Sequence, residues 1–199
     1  MHLIFLLNIV ADHQAKQGRL TAEEEKHLFA RALKGDTAAF EKIYRSYVKE
    51  LCSFAAYYVK SFDAAEDIVQ NLFLLLWERR ETIRIEGFLK TYLFTSVRNL
   101  SLNFLKHQTI DQKSSDIYSK LFSIPSATPH EIAEHQELDV LITQALEKIP
   151  ERCRIVFILS RYFNMKYTEI AKILEISVKT VDAQMVKAIK SLRSALRHE

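Results

Sequence analysis

A chain of 199 residues that is 48% hydrophobic and 27% charged is that of a soluble globular protein, with room for one domain or two small ones. Only 3 Gly and 3 Pro leave tight turns and strand punctuation nearly absent, which points to an all-α fold and excludes a Gly-rich phosphate loop. The net charge of +3 decides nothing by itself, so its distribution along the chain carries the reading.

Met1–Val10 is apolar but too short to span a bilayer, and it lacks the basic leader and small-residue cleavage site of a signal peptide. It reads as a disordered tail or a misplaced start, with a membrane-touching segment as the lesser alternative. Thr21 with Glu24 makes a capping box that opens a helix ending near Gly35. Asp36 caps a second helix running to about Lys60, with Phe40, Ile43, Tyr44, Tyr47, Leu51, Phe54, Ala55 and Tyr58 along it. Asp63 with Glu66 reads as another capping box, opening a helix through Trp77. The run Leu72-Phe73-Leu74-Leu75-Leu76-Trp77 makes that helix apolar all round, so it needs cover on more than one side, part of which a partner protein can supply.

The charge reverses across the next turn. Residues 61–78 hold four acids and no Lys or Arg, whereas residues 79–106 hold six bases and two acids. Solvated faces usually mix their signs, so the segregation points to two different partners. The helix expected from Phe88 to Lys106 has a core stripe of Leu89, Leu93, Val97, Leu100 and Phe104. Its outward stripe is Thr91, Thr95, Arg98, Asn99 and Leu102, flanked by Phe88, Tyr92 and Phe94. Bases among aromatics and amides suit single-stranded nucleic acid, although an amphipathic helix with its aromatics in the core explains the same pattern.

From His107 to Thr128 the chain is polar and reads as a flexible linker. Thr128-Pro129-His130-Glu131 then opens a helix to about Lys148, and Pro150 starts another reaching Phe163. His130 and His135 are five apart, not the four that would put both on one helix face for zinc, and Glu131 already serves the cap. Cys52 and Cys153 make neither a metal spacing nor a disulfide framework and read as buried thiols of a reducing cytoplasm. No nucleophile–base set has a local signature, so an enzyme reading has no residues to stand on, and no metal, cofactor or small-molecule substrate is expected.

The stretch Tyr167–Leu192 is the most informative. Thr168 can cap a short helix with Ile170, Ala171, Ile173 and Leu174 on its apolar side. Ser177 can cap a second, whose apolar face is Val181, Met185, Ala188 and Leu192. The opposite face carries Lys179, Ala183, Val186 and Lys190, with Lys187 beside it. A turn of Glu175, Ile176 and Ser177 joins the two into a helix-turn-helix, whose second helix can lie in a DNA major groove. Residues 176–198 hold five Lys or Arg against one acid, Asp182, which favours phosphate. Glu175 occupies the place where this motif usually has Gly; a non-Gly residue in a left-handed turn costs about 1–2 kcal/mol.

In this order the features resemble the sigma factors of bacterial RNA polymerase, in the small two-domain extracytoplasmic-function group. Leu33 to Phe40 is similar to that family's opening motif. Ala65 to Phe73 with Trp77 is similar to its polymerase-binding core. Phe88 to Leu105 resembles its minus-ten helix, and Leu146 to Arg152 with the helix-turn-helix resembles its fourth region. The resemblance implies an N-terminal domain over 22–106, a linker over 107–133 and a C-terminal domain over 134–199. It implies that Asp67, Gln70, Asn71, Leu74 and Trp77 face core RNA polymerase. It implies that Thr91, Thr95, Arg98 and Asn99 hold the melted minus-ten element. It implies that Ser177, Lys179, Thr180, Asp182, Ala183, Val186, Lys187 and Lys190 meet minus-thirty-five DNA. A membrane-bound anti-sigma factor is a further implied partner, and the cytoplasm the implied location. Asn71 departs from the family's usual acid, Glu175 from its Gly. A helix-turn-helix regulator with a helical sensor domain, and a protein-binding scaffold, are the alternatives.

Overall fold

The computed structural model describes residues 20–112 and 146–197. Among these residues there are seven helices and no strand, the all-α class expected of the sequence. The first four are α1 (Ala22–Ala32), α2 (Thr37–Val59), α3 (Phe62–Glu78) and α4 (Leu89–Gln112). The last three are α5 (Glu151–Arg161), α6 (Tyr167–Leu174) and α7 (Val178–Arg197). The helix start at Thr128 and the pair His130 and His135 lie outside the described residues.

The helix starts follow from side chains that satisfy free N–H groups of the first turn. Thr21 Oγ1 accepts from the Glu24 N–H at 3.2 Å, and the Glu24 carboxylate accepts from the Thr21 N–H at 2.8 Å, completing the expected box. Asp36 Oδ1 accepts from the Ala39 N–H at 3.0 Å, and Ser177 Oγ from the Thr180 N–H at 3.0 Å. Two starts differ from expectation. The cap of α3 is Ser61, whose Oγ accepts from the Ala64 N–H at 3.3 Å; Asp63 is inside the first turn, where its charge favours the positive helix end. α6 begins at Tyr167, one residue before Thr168, and the Glu169 carboxylate accepts from the Lys166 N–H at 2.7 Å. α4 continues past Lys106 to Gln112, since no Gly or Pro follows Gly87 until Pro125.

α2 is the central element, packed against α1, α3 and α4. Leu51, Phe54, Ala55 and Ala56 are buried on it, and the alanines let neighbouring helices come close. α3 turns Ala65, Ile68, Val69, Leu72, Phe73 and Leu76 inward. Phe40 and Tyr44 of α2 lie edge-on to Phe73, with centroids 5.9 and 4.9 Å away. In the second body Val156 and Leu159 of α5, Ile170 and Ile173 of α6, and Val181, Met185 and Ala188 of α7 close one core. Burying each large aliphatic side chain contributes about 1.5–3 kcal/mol.

The two bodies pack together. Phe163, just after α5, rests against Phe54 and Phe94 with centroids 6.0 and 5.1 Å away. The Lys90 ammonium donates to the Phe163 carbonyl at 2.6 Å and pairs with the buried Glu50 carboxylate at 3.6 Å. The Tyr57 hydroxyl donates to the Glu151 carbonyl at 3.4 Å, and α4 runs along α6.

Two predictions follow from the caps and turns. Asp36 is held below its ordinary carboxylate value by the Ala39 N–H first and by Arg31 second. Its stabilising effect is therefore present above its unfolded value and lost as pH falls through the lower folded one. Asp36→Asn should melt below the parent at neutral pH, and the two melting curves should converge below about pH 4; parallel curves at all pH values would contradict the assignment. At the other turn, Glu175 has φ 57° and ψ 44°. Glu175→Gly and Glu175→Ala both lose the side chain, so their difference isolates backbone strain. Chemical denaturation should find the Gly variant more stable by about 1 kcal/mol.

Candidate nucleic-acid interface

Three surfaces bring together the residues singled out in the sequence. The first is on α3. Asp67, Gln70, Asn71 and Leu74 are all exposed along one side, while Ile68, Leu72 and Phe73 are buried on the other. Leu74 and Leu75 are 54% and 39% exposed, so the apolar run is only partly covered from within the chain. Trp77 is half-buried at the edge, with its ring 5.0 Å from Phe40 and the Arg80 guanidinium 4.7 Å over its face. A side with apolar, amide and acidic groups and no described covering suits a protein partner better than DNA.

The second surface is on α4, and here the structure divides the expected residues. Leu89, Leu93 and Val97 are buried as expected, with Leu100 and Phe104 partly so. Phe94, expected as a flanking aromatic, is wholly buried between Phe54 and Phe163 and belongs to the core. Of the outward stripe, Asn99 is exposed, whereas Thr91, Thr95 and Arg98 are half-buried. The Thr95 hydroxyl donates to the Thr91 carbonyl at 2.8 Å, so it serves its own helix. The Arg98 Nη1 is 3.2 Å from Asn99 Oδ1 and 3.2 Å from Glu175 Oε1, in the turn between α6 and α7. Burial pushes the Tyr58 hydroxyl up, with the nearby Arg98 cation opposing. Phe88 is 59% exposed at the start of α4 and is free to stack.

The third surface is the helix-turn-helix. Glu175 ends α6 in the left-handed conformation, and the Ile176 N–H donates to the Ala171 carbonyl at 3.0 Å. Ala171 is buried where α6 and α7 approach, and Val181 packs back into the core. The far side of α7 presents Ser177, Lys179, Asp182, Ala183, Val186, Lys187 and Lys190 to solvent, with Thr180 half-buried. Val186 is 59% exposed, an apolar group beside cations with no core role. Elsewhere the cysteines behave as buried thiols: burial first and Glu66 second push Cys52 up to about 12.

Three residues of this geometry have no role in the sequence reading. Lys90 and Phe163 join the two bodies, and the Glu175 carboxylate reaches Arg98. Only Glu175 carried a signal, as the residue in the Gly position.

The chain is similar to known proteins in both of its bodies. Residues 43–109 match the family sigma-70 region 2, and residues 139–192 match sigma-70, region 4. The RNA polymerase sigma-H factor of Pseudomonas aeruginosa is 22% identical over 186 residues, covering 89% of this chain and 96% of that one. The ECF RNA polymerase sigma-E factor of Escherichia coli K12 is 27% identical over 173 residues, covering 83% and 90%. Two solved structures share the fold. CnrH in complex with the cytosolic domain of CnrY has a TM-score of 0.60 at 18% identity, covering 88% of this chain and 98% of that one. The sigma factor RpoE in complex with the anti-sigma factor NepR from Bartonella quintana has a TM-score of 0.59 at 23% identity, covering 79% and 96%. The chain belongs to the extracytoplasmic-function sigma factors of the sigma-70 family. Its function is that of a sigma factor: it directs promoter recognition and the initiation of transcription.

Proposed function

We propose that this sigma factor divides its work among the three surfaces, within an N-terminal domain over 22–106, a linker over 107–133 and a C-terminal domain over 134–199. The α3 face, with Asp67, Gln70, Asn71, Leu74 and Trp77, docks on core RNA polymerase. The α4 stripe, with Thr91, Thr95, Arg98 and Asn99, holds the melted minus-ten strand, and the exposed amide of Asn99 is the group that reads an extruded base. The α7 face, from Ser177, Lys179, Thr180, Asp182 and Ala183 to Val186, Lys187 and Lys190, enters the major groove at minus thirty-five. The observation that carries this reading is the partly uncovered apolar run of α3, with Leu74 54% exposed beside Asp67. A free DNA-binding regulator has no use for such a surface, whereas a subunit of polymerase does.

On this reading the chain supplies binding and strand separation, polymerase supplies the chemistry, and no catalytic group is needed. An anti-sigma factor is a third partner, since the similar RpoE was solved holding one. No described helix is long and apolar enough to cross a membrane, which accords with work beside polymerase in the cytoplasm.

Two experiments test the division. Lys179→Ala and Lys187→Ala should each weaken duplex promoter binding about equally across sequences and lower the salt slope by about one unit. An unchanged slope would place α7 away from the phosphates. Asp67→Ala should weaken the complex with core polymerase by about 2–5 kcal/mol and leave duplex binding intact. Asn99→Ala should leave polymerase binding intact and lower open-complex formation. If neither variant changes either assay, the α3 and α4 assignments are wrong.

A further inference from the structure

We propose that Asp182 and Val186 set the base sequence of the minus-thirty-five element. The Asp182 carboxylate accepts a hydrogen bond from the N4 amino group of a cytosine, and the Val186 side chain packs on the methyl group of a thymine one or two base steps away. The inference rests on the reading of α7 as the helix that enters the major groove.

Three observations on different residues support it. First, Asp182 is the one acid in residues 176–198, against five Lys or Arg. Phosphate repels a carboxylate on that face, so the group gains only where it meets a donor. Asp182 has no structural duty to explain it. It is exposed, it lies beyond the first turn of α7, where the helix dipole would favour an acid, and none of the ion pairs between described residues involves it. Secondly, Val186 is 59% exposed one turn further along, whereas Val181, Met185 and Ala188 of the same helix are buried. Thirdly, Ala183 is exposed and small beside them, and Lys179, Lys187 and Lys190 are exposed around them. Short side chains at the centre let the helix approach base edges, while the long Lys stems reach phosphates at the groove rims.

The groove floor then selects the bases. An ionised carboxylate can only accept. Guanine presents N7 and O6 and thymine presents O4, all acceptors, so both repel it. Adenine presents its N6 amino group beside the N7 acceptor. Cytosine presents its N4 amino group with no acceptor of its own on that edge, and is the best match. Thymine carries a methyl group in the major groove, and an exposed Val gains by covering it. Asp182 and Val186 are four residues apart, about 6 Å along the helix. Base steps of about 3.4 Å put the two bases one or two steps apart.

The test uses the full chain bound to core RNA polymerase, with promoter duplexes randomised around minus thirty-five and the bound fraction sequenced. The parent should enrich a cytosine at one position and a thymine one or two steps away, each by about four- to tenfold. Asp182→Asn keeps the size of the side chain and removes its charge. An amide reads adenine through N6 and N7, so enrichment at the first position should pass from cytosine to adenine. Val186→Ala should lose the preference for thymine at the second. Replacing that thymine by deoxyuridine, which lacks only the methyl group, should weaken binding of the parent about fourfold and leave Val186→Ala unaffected. Parent-like enrichment with Asp182→Asn, or a deoxyuridine effect equal in the parent and in Val186→Ala, overturns the proposal. Lys179→Ala and Lys187→Ala then separate the causes. If they still lower the salt slope, α7 is on the duplex and only the base assignment has failed. If they do not, the reading of α7 has failed and the proposal falls with it.

Discussion

Phe163 packs against Phe54 and Phe94, and much of the molecule depends on that contact. Edge-on and tilted aromatic pairs at these 5–6 Å separations add to the gain from area burial. The cluster ties the middle of α2 and the first half of α4 to the end of α5. Lys90 reinforces it from α4, with its ammonium shared between the Phe163 carbonyl and the Glu50 carboxylate. A cation so placed is only partly in water, so its attraction to these partners has to offset the loss of hydration. The result is that α6 and the turn after it come to rest beside the polar stripe of α4.

Each functional surface is the outer side of a helix whose inner side is fixed by packing. Ile68, Leu72 and Phe73 turn α3 so that Asp67, Gln70, Asn71 and Leu74 face out. Val181, Met185 and Ala188 do the same for α7, leaving its Lys residues in solvent. In both cases a period of 3.6 residues converts core packing into surface placement. The Asp67 carboxylate on α3 and the Lys residues of α7 therefore face outward on separate helices.

Much of this was legible in the sequence, and the exceptions have physical causes. Thr21 with Glu24, Asp36 and Ser177 were readable as caps because each precedes a clear apolar period. Ser61 and Lys166 were not, because Asp63 and Thr168, each two residues later, offer capping oxygens of their own, and Lys166 has no side-chain acceptor to mark it as a cap. Phe94 could be read as a flanking aromatic or as a core residue, and it is in the core, packed on Phe163, which is far away in sequence. The Arg98–Glu175 contact joins positions 77 apart and follows from how the two bodies meet, which no local pattern encodes. The one local sign of it was a charged residue in a left-handed turn.

If the chain gives core polymerase its promoters, transcription in vitro will show it. Core RNA polymerase would be incubated with a library of promoter fragments, with and without the chain, and the transcripts sequenced. Initiation at a shared set of start sites is expected only when the chain is present, with common elements near minus ten and minus thirty-five. Initiation unchanged by the chain, together with duplex binding that needs no polymerase, would contradict it and favour a regulator instead.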